Sequence, residues 1–215
     1  LSTDQYTIHT ATQGVFRWRG LTAEAVFHIA PEKMRVRTYD VGGSFGMKAF
    51  LYPEQIAAIW AAKHIGRTIK WTADRTESFL TDNQGRDQIN DAELALDKDG
   101  HMLAVRIHTI ANAGAYASVM GPGVSCLGAG GLQVGVYAIP AMYLNVTPAF
   151  TNTTPTDAYR GAGRPEAAYI IERLVDAAAR EMEIAPDELR ARNFIRPEQM
   201  PYATAGGYIY DSGDF

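Results

Sequence analysis

Cysteine is almost missing from the 215 residues, with Cys126 standing alone. A lone thiol cannot close an internal disulfide or build a multi-cysteine zinc or iron–sulfur site. Among small neighbours it reads as a buried, unreactive side chain. A cationic excess is missing as well. The 20 lysines and arginines are outnumbered by 24 aspartates and glutamates, for a formal net charge of −4, which argues against a nucleic-acid partner. No apolar run approaches the roughly 18 residues of a membrane-spanning helix. The opening Leu1-Ser2-Thr3-Asp4-Gln5 has neither an initiator methionine nor a secretory pattern, so the expectation is a cytoplasmic piece of a longer chain.

Several catalytic signatures are missing too. His9, His28, His64, His101 and His108 show no metal-ligand spacing. No serine occupies a nucleophile elbow, and no phosphate loop with Gly-Lys-Ser/Thr occurs. Three dinucleotide fingerprints begin, at Gly121-x-Gly123, Gly128-x-Gly130 and Gly161-x-Gly163. The third glycine is replaced each time, by Cys126, Gln133 and Glu166. Nicotinamide, flavin and ATP binding by these motifs are therefore excluded.

With 47% hydrophobic residues, the chain has the length and apolar content for a real core. Residues 6–10 alternate as a strand, residues 21–29 have helical spacing, and residues 34–39 alternate again. Pro53 opens a helix that Gly66 ends, with Ile56, Ile59, Trp60 and Ile65 on its expected buried side. Residues 67–72 read as another strand. Asp74-Arg75-Thr76-Glu77 has the spacing of a capping box. A hairpin is expected over residues 89–110, turning at Asp97-Lys98-Asp99-Gly100. Residues 111–135 form a glycine-rich tract suited to close chain packing. A strand is expected over 142–150, helices over 166–180 and 186–193, and a loop over 206–215. The fold class is α+β, with helices packed on mixed sheets. All of residues 1–215 are expected to form part of one larger domain, with a subdivision near 85–112.

Two segments combine unusual backbone freedom with polar chemistry. Gly42-Gly43-Ser44-Phe45-Gly46 follows a strand and precedes a helix. It reads either as a glycine bulge with a core phenylalanine or as a bare-backbone ligand loop. In Tyr159-Arg160-Gly161-Ala162-Gly163-Arg164-Pro165-Glu166, two arginines bracket three small residues. That segment reads either as a tight turn with solvated arginines or as an oxyanion cradle at a helix start. Together the two loops suggest a shared polar, non-protein group.

These loops, with Ala11-Thr12-Gln13, Gly85-Arg86, Asn112-Ala113-Gly114-Ala115-Tyr116 and Tyr210-Asp211-Ser212-Gly213-Asp214, resemble the molybdenum hydroxylase family. That family includes xanthine oxidase, aldehyde oxidase and the large chain of aerobic carbon monoxide dehydrogenase. The resemblance implies a molybdopterin, as its cytosine dinucleotide, and hydroxylation of an aldehyde or N-heterocycle using water. It implies iron–sulfur and FAD partner subunits or domains, and a small-molecule substrate. By this resemblance Gln13, Gly42, Gly43, Phe45, Gly46, Arg160 and Gly161 bind the cofactor. No residue of this chain takes a catalytic role, because the family's glutamate base lies in a later glycine-rich motif.

Departures from the family pattern are equally specific. Copper-containing carbon monoxide dehydrogenases carry a cysteine after the loop arginine, where this chain has Gly161. The purine-stacking phenylalanine of xanthine oxidase corresponds to Ala162, and the glutamate after its loop lysine to Ala49. The resemblance is thus to the non-copper type. The chain is expected to fold without turning over, empty of cofactor. The alternative is a non-catalytic scaffold or assembly module of the same fold.

Overall fold

The computed structural model describes residues 5–128 and 130–215. Two compact units divide the chain, Leu1–Asn83 and Gln84–Phe215. Both combine helices with sheet, giving the α+β class read from the sequence. No helix among the described residues is long and apolar enough to cross a membrane.

In the first unit, β1 (Tyr6–His9) pairs in parallel with β2 (Met34–Arg37). Parallel neighbours require a crossover, supplied by α1 (Val15–Gly20) and a π-helical segment, Leu21–Val26. The helix expected at residue 21 therefore begins at Val15 and changes pitch where it was expected to start. Trp18 on α1 is fully buried with Ala23, Met34 and Ile59. Its indole Nε1 donates to Gln55 Oε1 at 3.4 Å, and Gln55 Nε2 donates to Thr10 Oγ1 at 3.2 Å.

Helix α2 (Pro53–Ile65) has the expected bounds, and Gly66 caps it in the left-handed region at φ 67°. Its expected buried side is corrected. Ile59 is buried, whereas Trp60 is 56% and Ile65 62% exposed. At about 100° per residue, Ile56 lies roughly 60° from Ile59, but Trp60 and Ile65 point well off that stripe. Residues 67–72 form no strand. Ile69 and Trp71 share one face of that alternation, but no neighbouring strand pairs with it among the described residues and Trp71 stays 42% exposed. At α3 (Arg75–Thr81) the capping box is reciprocal: Glu77 N donates to Asp74 Oδ1 and Asp74 N to Glu77 Oε2, both at 2.8 Å.

The second unit is built on β3 (Gln88–Leu96), β4 (Met102–Gly114) and β5 (Ala141–Phe150), in that spatial order. Strands β3 and β4 form the expected antiparallel hairpin, while β5 joins β4 in parallel. In the turn, Asp97 Oδ1 accepts from the amides of Asp99 and His101 at 2.9 and 2.8 Å. The register slips there: Ala95 pairs with Ala104 but Leu96 with Met102. Leu103 is the extra residue and is turned outward, not onto the face of Val105 and Ile107.

The glycine-rich tract begins as the end of β4, and a single helical turn, α4 (Gly121–Gly123), with short π and 3-10 segments follows. Position 129 lies outside the described residues. Close packing does explain part of this composition, since a Cβ at Gly114 would fall 2.3 Å from Pro155 Cα. Helix α5 (Arg164–Glu181) covers the sheet, burying Ile170, Ile171, Val175, Ala178 and Ala179 in one stripe. This stripe packs with Val105, Ile107, Tyr137, Ile139 and Leu189. Burial stabilises each large apolar side chain by about 1.5–3 kcal/mol. Helix α6 (Pro186–Asn193) matches its expected bounds. The expected terminal loop is corrected: Ile209–Tyr210 forms β7 against β6 (Tyr202–Ala203). Tyr210 OH holds this end by donating to Gly135 O at 2.8 Å.

Candidate functional site

In the first unit, the structure brings Gln13 onto the 42–46 loop. Gln13 Oε1 accepts from Gly46 N at 2.8 Å across 33 sequence positions. The Gln13 backbone N–H also donates to Lys48 O at 2.9 Å, and buried Thr12 donates through Oγ1 to that carbonyl at 3.1 Å. The glutamine is thus held by backbone and side chain just beyond β1, while β2 leads into the glycine loop.

The loop has a left-handed backbone at Gly42, Gly43, Phe45 and Gly46, with φ of 63°, 85°, 53° and 99°. For Phe45 that conformation is strained. Its ring is 53% exposed, so it is not the core phenylalanine that a plain glycine bulge would carry. A Cβ on Gly43 would lie 2.7 Å from the Phe45 ring. The backbone and this aromatic ring therefore exclude a side chain at position 43. Lys48 Nζ donates to Val41 O, tying the two ends of the loop together.

The second unit carries Arg160 and Gly161 between the segment at Thr156 and the start of α5. Gly161, Ala162 and Gly163 are left-handed in succession, with φ of 94°, 46° and 94°. The Ala162 amide donates to Tyr159 O at 2.7 Å, and the Arg164 amide to Gly161 O at 3.2 Å. Arg164 Nη1 reinforces the latter carbonyl at 3.1 Å. Two of the loop's amides therefore bond back into the loop. A Cβ at Gly161 would lie 2.5 Å from Pro165 Cδ, which excludes any larger residue from this conformation.

Two further residues belong to this second loop. Arg86 Nη2 donates to the carbonyls of Arg160 and Tyr159, and its guanidinium lies 5.0 Å from the Tyr159 ring centroid. Glu166, in the first turn of α5, places Oε2 3.8 Å from Arg86 Nε. The sequence motif Gly85-Arg86 marked this position without indicating its contacts.

Other polar groups serve the fold. Tyr137 OH donates to Glu172 Oε1 at 2.7 Å; burial, and then this acceptor, push the phenol pKa up. Asn193 is buried, accepting from Met102 N and donating to Gly100 O and Leu189 O, all at 2.8 Å. Arg106 beside Glu93, on the open sheet face, holds that carboxyl below its ordinary range. Cys126 is half-buried, more accessible than its small neighbours implied.

The model of the molybdopterin cofactor-binding domain family matches residues 1–194. The chain is 40% identical over 189 residues to the carbon monoxide dehydrogenase large chain of Hydrogenophaga pseudoflava, covering 87% of this chain and 24% of that one. It is 38% identical over 187 residues to the 6-hydroxypseudooxynicotine dehydrogenase complex subunit gamma of Paenarthrobacter nicotinovorans, covering 84% and 23% respectively. The structure of quinoline 2-oxidoreductase from Pseudomonas putida 86 matches with a TM-score of 0.90 and 34% identity, covering 96% of this chain and 27% of that one. The chain spans about a quarter of the length of the curated relatives it matches.

Proposed function

Because the chain belongs to the molybdopterin cofactor-binding domain family, we propose that it forms part of the cofactor-holding region of a cytoplasmic oxidoreductase. The whole enzyme hydroxylates an aldehyde or N-heterocycle with oxygen from water. The observation that carries this reading is the contact from Gln13 to Gly46, beside an exposed phenylalanine held in a left-handed backbone.

The donor chemistry fits a molybdopterin, whose metal is already held by the pterin's own dithiolene. Such a group needs amides, a carboxamide and guanidinium groups from the protein more than thiolates or imidazoles. When bound, it supplies the redox chemistry and the activated oxygen. Gln13 orients the polar end of the group through its carboxamide. Gly42, Gly43 and Gly46 would bring backbone close to it without an obstructing Cβ, and Phe45 would set its exposed ring beside it. Arg160 and Gly161 would supply a forked cation and an amide suited to phosphate oxygens, and the family resemblance supplies the cytosine dinucleotide form.

No residue of this chain is assigned the catalytic base, which another part of the enzyme supplies. Electrons leave through iron–sulfur and flavin partners. Gly161 stands where copper-containing carbon monoxide dehydrogenases carry cysteine, so copper-dependent carbon monoxide oxidation is disfavoured. Ala162 and Ala49 similarly weaken a purine substrate.

The test is anaerobic mixing of the full-length enzyme and its partners with an aldehyde, an N-heterocycle or carbon monoxide. Bleaching of the flavin and iron–sulfur absorbance by either organic substrate is expected. Bleaching by carbon monoxide alone would overturn the substrate assignment. No bleaching, in a protein free of molybdenum, would favour the non-catalytic scaffold.

A further inference from the structure

We propose that Arg86 is a positioning residue that locks the peptide between Arg160 and Gly161, holding the Gly161 N–H as an outward donor. The direction of that donor toward the cofactor rests on the function proposed above. The locking itself rests on contacts within the second unit.

The chain first delivers Arg86 to the loop. Gln84 N donates to Pro155 O at 3.0 Å, Asp157 N donates to Gln84 O at 2.8 Å, and Gln84 forms a parallel bridge with Thr156. The next residue must be small, because a Cβ on Gly85 would lie 2.9 Å from Tyr159 Cβ. Arg86 then adopts φ 58°, a left-handed conformation that is costly for arginine. Such strain persists only where surrounding contacts dictate it.

Those contacts converge on one nitrogen. Nη2 donates to Arg160 O and, at 3.4 Å, to Tyr159 O. The guanidinium plane is supported by the Tyr159 ring. Glu166 is the counter-charge, its side chain nine-tenths buried and its Oε2 without a hydrogen-bond partner among the described residues. A carboxylate so placed keeps the guanidinium against the loop by charge at 3.8 Å, even without a direct hydrogen bond.

The consequence follows from peptide geometry. In a planar trans peptide the C=O and N–H point in opposite directions. Fixing Arg160 O toward Arg86 therefore turns Gly161 N–H away from it. Glycine tolerates both hands of φ, so this peptide could otherwise flip and present a carbonyl in place of the donor. A lysine at position 86 keeps the charge but lacks the planar fork that stacks on Tyr159.

The test compares R86K and R86A with wild type in the full-length protein. Amide exchange is followed over residues 158–164 in the cofactor-free state, and molybdenum and pterin are measured in the loaded state. Both variants are expected to exchange about tenfold faster in this loop, with β3 and β4 unchanged, and to lose most bound cofactor. Ethylguanidinium should restore loop protection to R86A. Unchanged exchange in R86K would overturn the proposal. A loosened loop with full cofactor content would overturn it too, since that marks a purely structural role. A wild-type protein without cofactor would instead refute the proposed function, while the exchange data still decide whether Arg86 locks the peptide.

Discussion

Gln13 Oε1 accepts a hydrogen bond from the Gly46 amide at 2.8 Å, joining the segment that follows β1 to a loop 33 positions later. Because this contact is exposed, Gln13→Ala should cost at most about 1 kcal/mol of stability. The same variant should sharply reduce cofactor retention in the full-length enzyme. Thermal unfolding paired with molybdenum analysis checks the split. A large stability loss with full molybdenum content would assign Gln13 to the fold alone.

Phe45 offers the converse separation. Its φ of 53° is unfavourable for phenylalanine, and its ring is more than half exposed. Phe45→Gly should leave the stability of the first unit within about 1 kcal/mol of wild type, as relieved strain offsets lost contacts and greater unfolded-chain freedom. Turnover by the full-length enzyme should fall. Chemical denaturation and steady-state rates measure the two effects independently.

These two residues show what was legible in the sequence and what was not. The 42–46 glycines stood out because few local structures require that combination, whereas Gln13 was legible only through the family resemblance. The box at Asp74 and Glu77, the hairpin and α6 were similarly local, being set by capping and turn chemistry. Trp60 and Ile65 were misplaced because a run of apolar residues does not reveal how narrow the buried stripe is. Residues 67–72 alternate, with Ile69 and Trp71 on one face, but the alternation does not reveal that no neighbouring strand pairs with them among the described residues. Arg86 was visible only as part of a motif. Its role comes from carbonyls more than 70 positions away and a backbone conformation that no propensity predicts.

Asn193 is the clearest structural polar residue. Its side chain serves three backbone groups at 2.8 Å, bridging α6 to the start of β4. Asn193→Ala leaves those buried groups unpaired and should cost about 2–4 kcal/mol. Urea denaturation followed by far-ultraviolet circular dichroism would measure it. A change below about 0.5 kcal/mol would mean that water replaces all three contacts.

Tyr137 sets a pH dependence at the alkaline end. Burial and the Glu172 acceptor raise its pKa in the folded state above the ordinary phenol value. The unfolded chain therefore releases this proton first. The contribution is fully present below about pH 10 and is lost as pH rises through the folded value. Denaturation at a series of pH values should show wild-type stability falling above that point. Tyr137→Phe should have a shallower fall, and identical slopes would contradict the assignment.

Acid hydrolysis of the purified full-length protein, with molybdenum and released nucleotide measured on the same sample, tests the central claim most directly. Molybdenum and cytidine monophosphate in equimolar amounts are predicted, both diminished by Gln13→Ala. A folded full-length protein from a host that makes the cofactor, yet reproducibly lacking molybdenum and pterin, would contradict the account.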